Sequence, residues 1–239
     1  MKIALVTGGA HRIGMQICHT LHRNGYFVII HYRNSFQDAN NLMNKLNNIR
    51  QNSASTLQAE LSNIQEVNKL CNAIKSLNIL VNNASIFYST PVDKLNQHDY
   101  QSIMNTNLMA PLFLSSTLSD KLAHNQGCII NIIDIHSERP LKNYTIYSIS
   151  KAAVAMMTKT LAKELAPNVR VCGVSPGSIL WPTNVAKLNQ VQKNKILKKI
   201  ALRKQGSAQD IADTVLFLAK STYITGQVIN VDGGRTLNQ

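Results

Sequence analysis

Short runs of Val, Ile and Leu alternate with longer helical patterns along the whole chain, and this alternation restricts the fold more than any other feature. Strand-like runs fall at Ile3–Thr7, Phe27–His31, Ser55–Gln58, Ile79–Asn82, Cys128–Ile133, Arg170–Ser175 and Gln227–Val231. Helical patterns fill the intervals at His11–Asn24, Gln37–Ile49, Gln65–Ser76, Gln97–His124, Thr145–Ala166 and Ala208–Ala219. Apolar strands separated by helices of this length imply a parallel sheet covered on both faces. The expectation is an α/β chain: one doubly wound parallel sheet of about seven strands, with helices on both faces. At 239 residues, 1–239 reads as a single domain, without linker, repeat or low-complexity stretch. One segment, Ile179–Gly206, lies outside the alternation. It is basic, contains Trp181 and Pro182, and follows a Pro176-Gly177 turn. An insertion beyond the C-terminal end of a strand is where an open α/β sheet builds its ligand crevice, so a substrate loop/helix insertion is expected at about 178–206.

Composition excludes several classes. Hydrophobic residues make up 44% and charged residues 15%, which is globular rather than disordered. No apolar run reaches membrane-spanning length, and Ile3 to Val6 is too short for a signal-peptide core. A cytoplasmic protein without a membrane partner is expected. Cys18, Cys71, Cys128 and Cys172 show no C-x-x-C spacing and read as reduced thiols. No metal site is expected, since the histidines show no ligand spacing with them. The net charge is +13, and no Asp or Glu occurs from Leu165 to Gln209. A solvated surface explains this first, and a field drawing an anionic cofactor or substrate second. Nucleic acid comes third and is not expected as a partner: no recognised motif is present, and aromatics are 5%.

Two local patterns carry chemistry. Thr7-Gly8-Gly9-Ala10-His11-Arg12-Ile13-Gly14 follows the first strand and opens the first helix. Glycines there allow a tight turn and close backbone approach, and the helix start offers free N–H groups to a pyrophosphate. Later, Tyr147 and Lys151 stand four apart, on one face of a helix. A nearby ammonium favours the phenolate and lowers a tyrosine pKa from about 10, making the tyrosine usable as a proton donor. Such a pair alone is usually a helix surface. It gains force because a nucleotide-type turn opens the same chain.

The turn resembles the T-G-x-x-x-G-x-G of the short-chain dehydrogenase/reductase family, with Arg12 in place of the middle glycine. Asn82-Asn83-Ala84, Asn107, Tyr147, Lys151 and Pro176-Gly177 follow in family order and spacing. The resemblance spans essentially the whole chain and implies a Rossmann-like fold. Three departures point one way: Arg12, Ser85 after Asn-Asn-Ala where glycine is usual, and Asp134 thirteen residues before Tyr147 where a serine is usual. All three resemble pteridine reductases and bacterial dihydromonapterin reductases. So do Asn82-Asn83-Ala84-Ser85-Ile86-Phe87-Tyr88 and His31-Tyr32-Arg33-Asn34-Ser35.

That resemblance implies NADPH-dependent reduction of a dihydropterin (dihydromonapterin, dihydrobiopterin or dihydrofolate). Tyr147 and Asp134 would form the acid couple. Lys151 would lower the tyrosine pKa and hold the nicotinamide ribose, and Asn107 would support the lysine. Cofactor contacts are implied for Gly8, His11, Arg12, Ile13, Gly14, Tyr32, Arg33, Asn34, Ser35, Glu60, Leu61, Asn83, Ala84, Ser85, Tyr147, Lys151, Pro176, Gly177 and Ser178. Substrate contacts are implied for Arg12, Ser85, Phe87, Asp134, Tyr147 and Trp181. An acid at the end of strand two would favour NAD, whereas arginine accommodates a 2′-phosphate. The first acid after Gly14 is Asp38, expected in the next helix, so Arg33 argues for NADPH. Glu60 stands where the family often has Asp, and Trp181 where many members have Thr. The long helices Gln97–His124 and Thr145–Ala166 are those the family pairs between subunits, implying a homotetramer. A carbonyl reductase, such as a 3-oxoacyl carrier-protein reductase, is the rival enzyme. A non-catalytic nucleotide-sensing or nucleic-acid-binding protein is the rival of another class.

Overall fold

The computed structural model describes residues 1–181 and 189–237. Pro182 and Lys187, both in the inserted segment, lie outside the described residues. Seven strands form one sheet: β1 (Ile3–Val6), β2 (Phe27–Tyr32), β3 (Ala54–Gln58), β4 (Ile79–Asn82), β5 (Cys128–Ile132), β6 (Arg170–Pro176) and β7 (Val228–Val231). Their order is β3-β2-β1-β4-β5-β6-β7, and every neighbouring pair is parallel. The helices are α1 (Arg12–Arg23), α2 (Phe36–Ile49), α3 (Ile64–Ala73), α4 (Gln97–Met104), α5 (Ala110–Thr117), α6 (Ser119–His124), α7 (Thr145–Glu164), α8 (Gln190–Lys198) and α9 (Ala208–Lys220). This is the doubly wound sheet that the alternation requires.

Side chains alternate across each strand, which builds a core on either face. Ala4 and Val6 point to one side, against Ile17 and Leu21 of α1, Leu46 of α2 and Val215 of α9. Leu5 points to the other, against Val67 of α3, Leu114 of α5 and Leu122 of α6. Every residue of β4 and β5 is buried, so their apolar runs show no polar alternation. Their two asparagines are paired: Asn82 Nδ2 donates to Asn131 Oδ1 at 2.8 Å, and Asn131 Nδ2 donates to Thr158 Oγ1 of α7 at 2.9 Å. This chain fixes α7 against the centre of the sheet. Strand order reverses between β1 and β4, and at such a point an open sheet leaves a crevice beyond its C-terminal edge.

The expected helix over Gln97–His124 is broken in three. A π-turn at Asn105–Met109 separates α4 from α5, and Leu118 separates α5 from α6. Pro111 has no N–H for the carbonyl of Asn107 four residues back. Instead, Ala110 N–H reaches the carbonyl of Asn105, five residues back. Helix α3 ends at Ala73 rather than Ser76, because Ile74 turns extended and buries its side chain. The inserted segment contains the helix α8. Asn189 and Gln192 cap it reciprocally. Among the described residues, no helix is long and apolar enough to cross a membrane.

Candidate active site

The turn after β1 is organised by hydrogen bonds reaching in from its neighbours. Thr7 Oγ1 accepts the N–H groups of Asn83 and Ala84, at 2.9 and 3.0 Å. Asn83 Nδ2 returns a donor to the carbonyls of Thr7 and Gly8, at 2.8 and 3.1 Å. The ends of β1 and β4 are thereby locked together. Gly8 has φ +60°, where a side chain is strained, and a Cβ at Gly14 would lie 2.2 Å from the Gly8 oxygen, which leaves no room for one. Arg12 also sits in the left-handed region, at φ 51°. That explains why a glycine is usual there, and holding an arginine in this conformation costs roughly 1–2 kcal/mol.

These residues line a cleft of ≈ 370 Å³. Gly8, His11, Arg12, Ile13 and Gly14 form one wall; Tyr32, Arg33, Asn34 and Ser35 a second; Glu60 and Leu61 a third; Asn83, Ala84 and Ser85 the fourth. Of the anticipated cofactor residues, these fourteen come together in one cavity. The N–H groups of the first turn of α1 have no partner within the helix and suit a pyrophosphate. At the far end, Arg33 Nη1 lies 3.7 Å from Glu60 Oε2, and Glu60 Oε1 accepts from Ser62. Asp38 lies in α2, as expected, and faces His11 at 3.4 Å.

The candidate reacting groups stand beyond the ends of β4 and β5. Tyr147 Oη donates to Asp134 Oδ2 at 2.7 Å. Asp134 Oδ1 accepts the N–H of His136 at 2.8 Å, capping a short 3₁₀ turn at Ile135–Ser137. The cap fixes the carboxylate so that its other oxygen faces the phenol. Lys151 is buried, donates to the carbonyl of Ile132 at 3.0 Å, and lies 5.7 Å from the centre of the Tyr147 ring. Burial lowers its pKa to about 8, against an upward pull from Asp134. The tyrosine differs from expectation. Burial, then the charge and hydrogen bond of Asp134, push its pKa well above the usual value rather than below it. Burial, together with the Asp134 carboxylate, holds the phenol protonated.

Asn107 reaches this site through the π-turn. Its Oδ1 accepts the N–H of Ile86 at 2.9 Å, while Nδ2 donates to the Ile86 carbonyl at 3.1 Å and to Ser150 Oγ at 3.2 Å. It pins the loop before Phe87 to the helix turn that carries Lys151. Phe87 is 51% exposed, which excludes an ordinary core role. Its ring stacks on Tyr144 at 4.4 Å and 13°, and meets Tyr147 edge-on at 4.7 Å. Thr90 closes the loop onto α7, accepting from Ile146 N at 3.2 Å through Oγ1.

Five anticipated cofactor residues do not line the cleft: Tyr147 and Lys151, which stand in the cluster just described, and three residues at the end of β6. Pro176, Gly177 and Ser178 lie at the end of β6, where a Gly177 Cβ would come within 2.7 Å of Asp232. Trp181 is half-buried, with Lys193 of α8 at 5.8 Å from its ring. Sequence reasoning missed Tyr144, Thr106 and the ring of His31. Thr106 and His31 line the cleft, and Tyr144 backs Phe87. A histidine inside an otherwise apolar strand was the available signal for His31.

A crevice at the strand-order reversal, a glycine turn and a buried Tyr–Lys pair together define an oxidoreductase working with a nicotinamide dinucleotide. The chain belongs to the short-chain dehydrogenase/reductase family: residues 8–236 match the family model described as enoyl-(acyl carrier protein) reductase. It is similar to pteridine reductase 1 of Leishmania tarentolae, with 33% identity covering 99% of this chain and 97% of that protein. It is also similar to the dihydromonapterin reductase of Enterobacter sp. (strain 638), with 31% identity over 98% and 96%. The 3-oxoacyl-(acyl-carrier-protein) reductase of Rickettsia felis is 34% identical over 98% and 96%. Identity does not separate the two substrate classes; the residues at the reacting centre must.

Proposed function

We propose that the protein reduces dihydropterins to tetrahydropterins with NADPH. The carrying observation is the 2.7 Å bond between Tyr147 and Asp134. Reducing a C=N bond requires a hydride at carbon and a proton at nitrogen. When bound, the dinucleotide supplies the hydride. The cleft fits it: the first turn of α1 would hold the pyrophosphate, and Arg33 the 2′-phosphate. Lys151 would hold the nicotinamide ribose. Tyr147 delivers the proton, and Asp134 relays its replacement from solvent. The exposed ring of Phe87 offers the flat apolar face on which a pterin would stack, and Arg12 and Ser85 offer polar groups to its edge.

Reduction of a 3-oxoacyl thioester is the second reading, favoured by the equally similar Rickettsia relatives. A carbonyl needs no carboxylate relay, and Asp134 stands where that chemistry normally has a serine. Purified protein is tested by NADPH oxidation with dihydromonapterin, dihydrobiopterin and dihydrofolate, against an acetoacetyl thioester. Turnover of a dihydropterin alone is expected, and turnover of the thioester alone would transfer the protein to the second reading. We further propose a cytoplasmic homotetramer, supported by exposed Leu112 and Phe113 on α5 and Ile149 and Met156 on α7.

A further inference from the structure

We propose that His31 is a positioning residue for the dinucleotide: its ring sets the spacing between the phosphate turn after β1 and the adenine wall after β3. His31 is 2% exposed within the strand Phe27–Tyr32. A ring buried this deeply needs partners for its nitrogens. Gly8 N–H donates to Nδ1 at 3.0 Å, so the ring hydrogen belongs on Nε2, which lies 3.1 Å from the carbonyl of Ala59. Only that neutral tautomer satisfies both contacts. Burial holds the pKa down to about 4, which keeps the ring in this form near neutral pH.

The two partners belong to different segments: Gly8 to the turn after β1, and Ala59 to the chain leaving β3. On one side the main chain of His31 acts as well, its carbonyl accepting Gly9 N–H at 2.9 Å. Thr7 N–H is taken by the Val81 carbonyl at 3.0 Å. The N–H groups of Thr7, Gly8 and Gly9 are therefore all turned into the sheet, and those of the first turn of α1 are left for an anion. On the other side Ala59 directly precedes Glu60, whose carboxylate faces Arg33. One imidazole thus joins the residues that would hold the pyrophosphate to those that would hold the adenosine end.

The proposal rests on reading the cleft as the dinucleotide site, and three substitutions separate the two ideas. Asn places Oδ1 where Nδ1 sits and keeps the acceptor for Gly8. Gln places its amide nitrogen near Nε2 and keeps only the contact to Ala59. Leu keeps neither. NADPH affinity is measured by fluorescence titration, with folding checked by circular dichroism and turnover measured at saturating NADPH. His31→Asn is expected to bind within about threefold of wild type, and His31→Gln and His31→Leu about tenfold more weakly, with kcat preserved in all three. If His31→Leu fails to fold, the Asn and Gln variants decide. Equal NADPH affinity in the Asn and Gln variants, or loss of thermal stability without loss of affinity, would overturn the proposal. Wild-type protein that binds no NADPH would instead remove the cofactor reading, and this inference with it.

Discussion

At the dinucleotide end, side chains bond to the main chain of a close-packed glycine turn, whereas at the reacting end side chains also bond to and stack on one another. At the first end, Thr7, Gly8 and Gly9 spend their N–H groups on the sheet, and Gly14 has no room for a methyl group. At the second, Asp134 meets Tyr147, Asn107 meets Ser150, and Phe87 stacks on Tyr144. The first end is therefore sensitive to size and the second to chemistry. A side chain added to the glycine turn should disrupt binding at the first end, whereas removing the Tyr147 hydroxyl at the second should abolish turnover and spare NADPH binding.

Tyr147→Phe is the sharpest test of that division. It removes the donor and keeps the ring against Phe87, so kcat should fall about a thousandfold while NADPH affinity is unchanged. Equal loss of both would merge the two ends into one. Asp134→Ser comes next. Dihydropterin kcat/KM should fall about a hundredfold, again without change in NADPH binding. Full pterin activity in this variant would remove the relay. A third test uses pH. Lys151 titrates at about 8, so its ammonium is present below that pH and lost as pH rises through it. NADPH affinity in titrations should be flat below pH 8 and weaken above it, by up to about tenfold per unit. The smallest effect is expected for Phe87→Ala. An aromatic contact contributes about 0.5–1.5 kcal/mol, so the pterin KM should rise roughly three- to tenfold with kcat retained.

Both ends were legible in the sequence to different depths. The parallel sheet followed from apolar runs at helix-length spacing, and the glycine turn, Tyr147 and Lys151 from their positions on those elements. Asp134 was legible only as an offset from Tyr147; alone it would have read as a strand-end cap, and Asp134 Oδ1 does act as a cap. What was hidden depends on tertiary partners. The π-turn depends on Asn107 bonding Ile86 and Ser150, residues distant in sequence. Pro111 was its visible trace, since a proline inside a helical pattern interrupts the bonding behind it. Tyr144 lies just before α7, where helix periodicity does not predict its direction. The fall expected for the Tyr147 pKa was reversed because burial and Asp134 both favour the protonated phenol.

The π-turn has one more consequence, for how this chain can change over evolution. A π-turn behaves as a one-residue insertion, and a helix rotates by about 100° per residue. Helices α4 and α5 are therefore out of phase, and deleting one residue from 105–109 would remove the extra residue that sets that phase while leaving Pro111 to interrupt the bonding. It would also swing the exposed Leu112 and Phe113 by about 100° around the axis, while Asn107 lost its place against Ile86 and Ser150. Surface pattern and site geometry are thus tied to the same extra residue. Length changes that surface loops absorb freely should be barred from these five positions.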